Sequence, residues 1–543
     1  MNARRLARAL PLLLGAVPPA CSSGGTVKTT PDGSTPHDAG PDAGGLTSLS
    51  VSGAMSALTP AFSPAIQDYY VRCAAGSNAL KVTMTTAKGA TFALTQPTTS
   101  PALASQTVAV SVPEGKAIVA ALTEGGTTTD YWIRCLPHDF PPLAWSYYPE
   151  AGAPSPGYYL LGNAAVSPGE SGYAMVLDVH GVPVWYQVAQ PGAAVSNVES
   201  LANGSVSYVP TSFTTYFPYA LVDVASDAIT MLSPTGYQTD EHELQVLPNG
   251  HYLTFSYVLK PGIDLTGLSI PLPEDAGSVP LGPNSTIQDC TILEVDPSGQ
   301  VVWTWAASDH FDPAVSSTYA QTGFGPSAIL PDGGTSYDVF HCEAIDIDPA
   351  NGNLLVSARG MSAVFYVDKA TGSVLWKLGG TSASKDHATF VTMTDPFVEA
   401  HDGRLIAGWS PTCRGGTGQV SVFDDESTSN APARAVIYDV VVGNADGGCD
   451  ASAGDAGAPG VGTVAWQYKG TNNSGGAGSL RISAGDSRVI GWGIGIPALT
   501  EVTKGGEKLV ELTFSSGDVS YRALKVPAST FDLSMLRESA GGQ

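Results

Sequence analysis

Three histidines and one arginine carry the chemistry open to this sequence. His341 lies near the start of residues 338–360, DVFHCEAIDIDPANGNLLVSARG, and Arg359 lies near the end. Pro349-Ala350-Asn351-Gly352 separates two apolar runs, and Asn and Gly tolerate the positive φ of a tight turn, so the stretch reads as a hairpin. That hairpin sets His341 and Arg359 side by side at one end. A guanidinium offers a planar fork of donors and an imidazole can move a proton, a pairing suited to an anionic group. Two more histidines sit in similar contexts. His242 precedes Glu-Leu-Gln-Val-Leu-Pro-Asn-Gly, and His401 stands in Glu-Ala-His-Asp-Gly-Arg ahead of Val420-Ser-Val-Phe-Asp424. One histidine on an apolar face is usually a core residue; three at matching places call for a common frame.

A repeat supplies that frame. Its core is a strand ending in Asp, a Gly turn, and a strand ending on an aromatic. It is seen at Met175–Asp178 with Gly181–Trp185, at Ile292–Asp296 with Gly299–Trp303, and at Val364–Asp368 with Gly372–Trp376. A fourth copy runs from Ala435 to Trp466 across a Gly/Ala/Asp insertion. Weaker copies lie at Leu221–Thr230 and Leu509–Tyr521. Partner hairpins turn at Asn203-Gly204, Asn249-Gly250, Asn351-Gly352, Asp402-Gly403 and Gly485-Asp486. Six paired-hairpin units predict an all-β fold with a six-bladed β-propeller over residues 143–527. Equivalent points of successive blades converge on the axis, so His242, His341, Arg359 and His401 should face one small volume. The periodic Trp185, Trp303, Trp376 and Trp466 are expected to pack blade on blade.

Residues 46–137 precede the repeat. Lys81–Thr86 and Thr107–Val112 alternate apolar and polar with period two, and short strands at regular spacing predict a β-sandwich. The Leu-x-Val-Ser-Gly opening, Leu58-Thr-Pro-Ala-Phe-Ser-Pro and the closing Tyr131-Trp-Ile resemble a cadherin-like module of bacterial surface proteins. Cys73 and Cys135 lie in matching contexts, Tyr-Tyr-Val-Arg-Cys and Tyr-Trp-Ile-Arg-Cys, and are expected to pair; Cys413 with Cys449 is a second expected pair. Residues 528–543 read as a C-terminal tail.

The first 21 residues carry Arg4, Arg5 and Arg8, a short apolar run and then Cys21, which reads as an export signal. Cys21 resembles the lipidation site of bacterial lipoproteins. Residues 22–45, rich in Gly, Ser, Thr, Pro and Asp, read as a flexible tether. The localisation expected is therefore the cell envelope, periplasm or exterior, with the membrane reached through a lipid anchor at most. A net charge of −24 excludes nucleic acid as a partner, and any anion site must be local. Nothing in the Cys and His spacing indicates zinc, so no metal and no cofactor is expected.

With the histidines and blades in place, the chain resembles the bacterial arylsulfate sulfotransferases. The matching pieces are His242 in EHELQVLPNG, His341 with Arg359 in DVFH…LLVSARG, and His401 in AHDGR followed by VSVFDD. The resemblance implies sulfuryl transfer from an aryl sulfate donor to a phenolic acceptor without a nucleotide cofactor. It implies ping-pong order through a sulfohistidine on His401, with Arg359, His242 and His341 around the sulfuryl oxygens. His387, in Asp386-His387-Ala388, is the rival for the nucleophile. A non-catalytic exported propeller acting as a binding or scaffold protein is the alternative. A quinone-cofactor dehydrogenase and a sialidase lack their motifs here. A homodimer is among the assemblies the chain allows.

Overall fold

The computed structural model describes residues 45–540 apart from 165–166, 190–191, 213–214, 217, 272–276, 319–320, 323–333, 430 and 444–459. The export segment, Cys21, the tether and Cys449 lie outside these residues. Among the described residues strands dominate, the longest helix spans seven residues, and no helix is long and apolar enough to cross a membrane.

Five sheets form the six blades, a ten-stranded one carrying both blade four and blade five. The innermost strands are Ala523–Pro527, Ala194–Ser200, Leu244–Val246, Cys342–Ile347, Ala400–Leu405 and Ser479–Ile482, taken from blade one to blade six. Blade one closes the ring: the C-terminal strand Ala523–Pro527 pairs antiparallel with Gly157–Gly162 and supplies the inner strand missing from the start of the chain. Blade six gains an outer fifth strand, Leu143–Tyr147, from the N-terminal side of the propeller. These two exchanges join the two ends of the propeller by backbone hydrogen bonds. Blades four and five are bridged by Thr389–Met393, which pairs parallel with Val374–Gly379 on one side and Gly460–Lys469 on the other.

The repeat read from sequence falls on the two outer strands in blades one to five. In blade six the register differs. Its outer hairpin is Leu499–Val502 with Lys508–Phe514, and residues 517–521 instead lead into the inner strand of blade one. Asp402-Gly403 is not a turn either. It lies inside the inner strand Ala400–Leu405, whose pairing shifts between His401 and Arg404. A Cβ on Gly403 would meet Ser357 Oγ at 2.5 Å, so only glycine lets blades four and five approach this closely. Of the repeat tryptophans, Trp185 and Trp376 are fully buried. Trp303 and Trp466 are half-buried, because they face the rim and are covered by cations, Lys369 at 5.1 Å and Arg488 at 5.5 Å.

The N-terminal unit is a sandwich of a three-stranded and a four-stranded sheet. Ser77–Thr86 alternates buried and less buried side chains throughout, as a strand with one face on a core requires. Cys73 and Cys135 are disulfide-bonded inside that core. Residues 528–540 are a folded clasp rather than a tail. Asp532 caps the helix Leu533–Ser539, Leu536 is buried against blade one, and Arg537 donates to both carboxylate oxygens of Asp68 at 2.9 and 2.6 Å. The apolar spacing of Leu533 and Leu536 carried the signal for that helix.

Candidate functional site

The site is built at the starts of the inner strands of blades three, four and five. Leu244–Val246, Cys342–Ile347 and Ala400–Leu405 each begin beside or on a histidine: His242, His341 and His401. The chain bends sharply there. His341, Glu399 and Asp402 all have positive φ, 46°, 59° and 51°, as does Ala477 at 63° at the start of blade six. Pairing shifts accompany the bends in blades four and five. A bulge of this kind re-aims side chains, here from the sheet faces toward the axis, and left-handed residues of this type collect at functional sites.

Glu343 is the centre of the arrangement. Its Oε1 lies 3.0 Å from His341 Nε2 and 2.9 Å from His401 Nε2, and its Oε2 lies 3.6 Å from His242 Nε2. Tyr521, from the approach to blade one, donates its hydroxyl to Glu343 Oε2 at 2.8 Å. The His242 and His341 rings stand 5.1 Å apart, nearly perpendicular. All five side chains are buried or nearly so. Sequence reasoning missed Glu343 and Tyr521. The Glu two residues after His341 was the available signal, since strand residues i and i+2 share a face.

The three imidazoles differ in charge state, and the causes are local. Burial opposes charge on His242, but Asp240, 2.7 Å from Nδ1, and Glu343 outweigh it and lift the ring to about 9. Burial likewise opposes charge on His341, where Asp338, 2.5 Å from Nδ1, and Glu343 lift it to about 10. His401 goes the other way. Its burial outweighs Glu343, and the Arg359 charge pushes in the same direction, so the ring stays neutral. Its Nε2 lies 2.9 Å from both the Ala477 amide nitrogen and Glu343 Oε1, and its Nδ1 lies 3.2 Å from both the Glu399 carbonyl and Asp425 Oδ2. Burial opposes charge on Glu343, but the charge on His242 and the hydrogen bond from His341 outweigh it and pull the carboxylate well below its usual range.

Arg359 stands beside His341 as the hairpin requires: its N–H donates to the His341 carbonyl at 2.8 Å. The side chain, expected to face the same volume as the three rings, reaches the Nδ1 side of His401 instead. There Nε donates to Asp425 Oδ2 at 3.1 Å and Nη2 donates to Ser427 Oγ at 2.5 Å, with Glu399 at 3.6 Å. The physical reason is Asp425, the second Asp of the VSVFDD motif: burial pushes its carboxyl up to about 8, and the Arg359 guanidinium bonded to it acts against that rise. Asp424 turns away to Arg434 and the Val398 amide. His387 is exposed in a loop and is not part of the cluster. Cys342 is bonded to Cys290, fastening blade four to blade three next to His341. Cys413 is also disulfide-bonded, while its expected partner Cys449 lies outside the described residues.

Fold and site together define an all-β, propeller-type protein with a buried histidine centre. The arylsulfotransferase (ASST) family model matches residues 155–436, just over half of the chain and all four residues singled out above. The chain belongs to that family. No curated protein matches it. Among solved structures, a protein of unknown function from Bacteroides caccae shares 13% identity at a TM-score of 0.36, covering 68% of this chain and 99% of that one. A gluconolactonase from Xanthomonas campestris shares 10% identity at 0.30, covering 66% and 86%. A quinoprotein alcohol dehydrogenase-like protein from Bacteroides thetaiotaomicron shares 9% at 0.29, covering 84% and 96%. None of the three bears on what the site does.

Proposed function

We propose that this arylsulfotransferase-family protein moves a sulfuryl group from an aryl sulfate ester to a phenol, in ping-pong order, through a covalent intermediate on His401. One observation carries the reading: three buried imidazoles bring their Nε2 atoms to the Glu343 carboxylate, and their surroundings raise two of them and lower the third. Groups of one type whose surroundings drive their charge states apart are the mark of divided acid and nucleophile roles.

In the first half-reaction the bound substrate displaces the Ala477 amide from Nε2 of His401, and the freed lone pair attacks sulfur. The N–S bond forms as the bond from sulfur to the aryl oxygen breaks, and the departing phenolate takes a proton from His341 or His242. Before substrate arrives, Glu343 accepts from Tyr521 and lies against the imidazoles; the sulfuryl oxygens take over these donors as Glu343 turns aside. Arg359 acts as a positioning residue, since Asp425 links it to Nδ1 of His401 and its charge helps to keep the nucleophile neutral. In the second half-reaction the acceptor phenol returns a proton to the imidazole, its oxygen attacks sulfur, and the N–S bond breaks. The cycle balances without a nucleotide cofactor. We place the protein outside the cytoplasm, anchored through Cys21. Disulfides at Cys73–Cys135 and Cys290–Cys342 support an oxidising compartment.

The test is turnover of a chromogenic aryl sulfate with and without phenol, for the wild type and His401→Ala. Turnover that needs the phenol and is lost in the variant is the expected result. A folded protein inert toward a panel of donors would leave the site a binding centre and overturn the reading.

A further inference from the structure

We propose that Glu343 sets the charge selectivity of the site: it admits esters that carry one negative charge, the sulfate class, and rejects those that carry two, the phosphate class. The inference rests on the reading of the histidine centre as the place where a sulfuryl group binds.

Polar groups converge on Glu343 as they would on a tetrahedral anion. Its Oε1 lies 3.0 Å from His341 Nε2, a hydrogen-bonded ion pair, and 2.9 Å from His401 Nε2. Its Oε2 accepts from the Tyr521 hydroxyl at 2.8 Å and lies 3.6 Å from His242 Nε2. In the free protein a carboxylate of the chain itself therefore fills the anion position. A sulfuryl group displaces it from those donors but not from the site. Glu343 sits in the paired inner strand Cys342–Ile347, and its main-chain carbonyl accepts from Arg522 at 2.6 Å. The backbone is fixed, so the charge stays within a side chain's length of the ligand whichever rotamer it takes.

The charges around that point decide which ligand fits. His242 and His341 present one positive charge each through Nε2, and each is backed on Nδ1 by its own carboxylate, Asp240 at 2.7 Å and Asp338 at 2.5 Å. His401 is neutral. Arg359 is engaged behind it by Asp425 and Ser427, and Arg522 is matched by Glu243 and Glu199. On the inner side two imidazolium charges thus meet one carboxylate, which leaves room for one more negative charge. A sulfate monoester brings one. A phosphate monoester has a second pKa of about 6 and brings nearly two at neutral pH. The extra charge would face Glu343 in a buried setting, where like charges repel strongly. The two esters share a tetrahedral shape with three terminal oxygens, so shape cannot separate them and a repelling carboxylate can.

The experiment uses the full chain and two inert probes of one shape, benzenesulfonate and phenylphosphonate, titrated by calorimetry. At about pH 8 the first carries one charge and the second two. His242 and His341, raised to about 9 and 10, keep their protons there. The wild type should bind the sulfonate at least about 10-fold more tightly, and Glu343→Gln, which preserves shape, should lower that ratio at least about 10-fold. Glu343→Asp, which keeps the charge, should keep the ratio. At about pH 5 the phosphonate carries one charge and should bind the wild type nearly as well as the sulfonate. Near-UV circular dichroism identifies any variant that fails to fold, and the wild-type comparison at two pH values keeps the test decisive if Glu343→Gln does. Equal affinities in the wild type at about pH 8, failure of both probes to bind, a preference that persists at about pH 5, or a ratio unchanged in folded Glu343→Gln would overturn the proposal. Turnover of an aryl sulfate with an unchanged ratio would sink this inference alone, and the expected ratios without turnover would sink the transfer reading alone.

Discussion

Two buried polar clusters grow from the same inner strands, and they are built on opposite principles. In the first, His242, His341, His401 and Tyr521 gather round one carboxylate. In the second, Arg404, Arg481 and Arg522 are matched by several. Arg404 donates to Glu243 at 2.5 Å, to Asp402 at 3.0 Å and to the Ile345 carbonyl at 2.5 Å. Arg522 donates to Asn197 at 3.0 Å and to the Glu343 carbonyl at 2.6 Å, with Glu243 at 3.4 Å; Arg481 pairs with Asp402. The clusters are fed by chain neighbours. His242 enters the first and Glu243 the second; His401 the first and Asp402 the second; Tyr521 the first and Arg522 the second. Successive residues of an extended chain point to opposite sides, so one strand start serves both. His341 and Glu343, two apart, accordingly meet in the same cluster. The lesson is that the arginine cluster holds the strand starts in place, while the histidine cluster keeps its nitrogens for chemistry.

That division can be broken first at His401. His401→Ala should lower sulfuryl transfer by at least about 10³-fold, the loss typical of a removed nucleophile, while the thermal midpoint stays near the wild-type value. Arg404→Ala should do the reverse. It leaves Glu243 and Asp402 short of a buried partner, and breaking such a pair costs about 3–5 kcal/mol, read from the urea midpoint. A loss of stability in the first variant and none in the second would refute the contrast.

Arg359→Met tests the link between nucleophile and arginine. Without the guanidinium, His401 should hold its proton to higher pH, so the acid limb of the kcat/KM profile moves upward and the rate at neutral pH falls about 10-fold. A uniform loss at every pH would reduce Arg359 to a structural role.

The wild-type profile sharpens the comparison further. Activity should rise as His401 loses its proton, below the usual histidine range, and fall as His242 and His341 lose theirs near 9 and 10. Stability follows with a definite sign. Both raised histidines bind protons more tightly in the folded state, so their contribution is complete below about pH 6.5 and is lost as pH rises through 9 and 10. The urea midpoint should therefore decline across that window, and less steeply in His341→Asn.

The smallest effect on activity is expected far from both clusters. Arg537→Ala removes the contact between the clasp helix and Asp68 and should speed proteolysis between the sandwich and the propeller, with transfer unchanged.

Much of this organisation was legible in the chain. Asn351-Gly352 between apolar runs specified the hairpin that joins His341 to Arg359, because few residues accept the backbone angles of such a turn. The Asp–Gly–Trp spacing specified the outer hairpins, since burying Trp185 and Trp376 forces the same register in each blade. Strand closure was not legible. Leu143–Tyr147 and Ala523–Pro527 complete blades hundreds of residues distant in sequence, and backbone hydrogen bonds carry no side-chain signature. Nor was the role of Asp402-Gly403, where a bulged inner strand resembles a turn until its neighbour is seen.

The sequence by itself determined the all-β architecture, the repeat and the residue types able to hold an anion or move a proton, because period, turn chemistry and side-chain class are local properties. Only the tertiary structure decided which histidine is neutral and which are charged, that Glu343 stands among them, and that Arg359 serves His401 from behind. Asp240 and Asp338 lie two and three residues from the rings they charge. But burial and the charges that arrive from another blade, Glu343 beside His242 and His401 and Arg359 beside His401, are set by distance in space rather than separation along the chain.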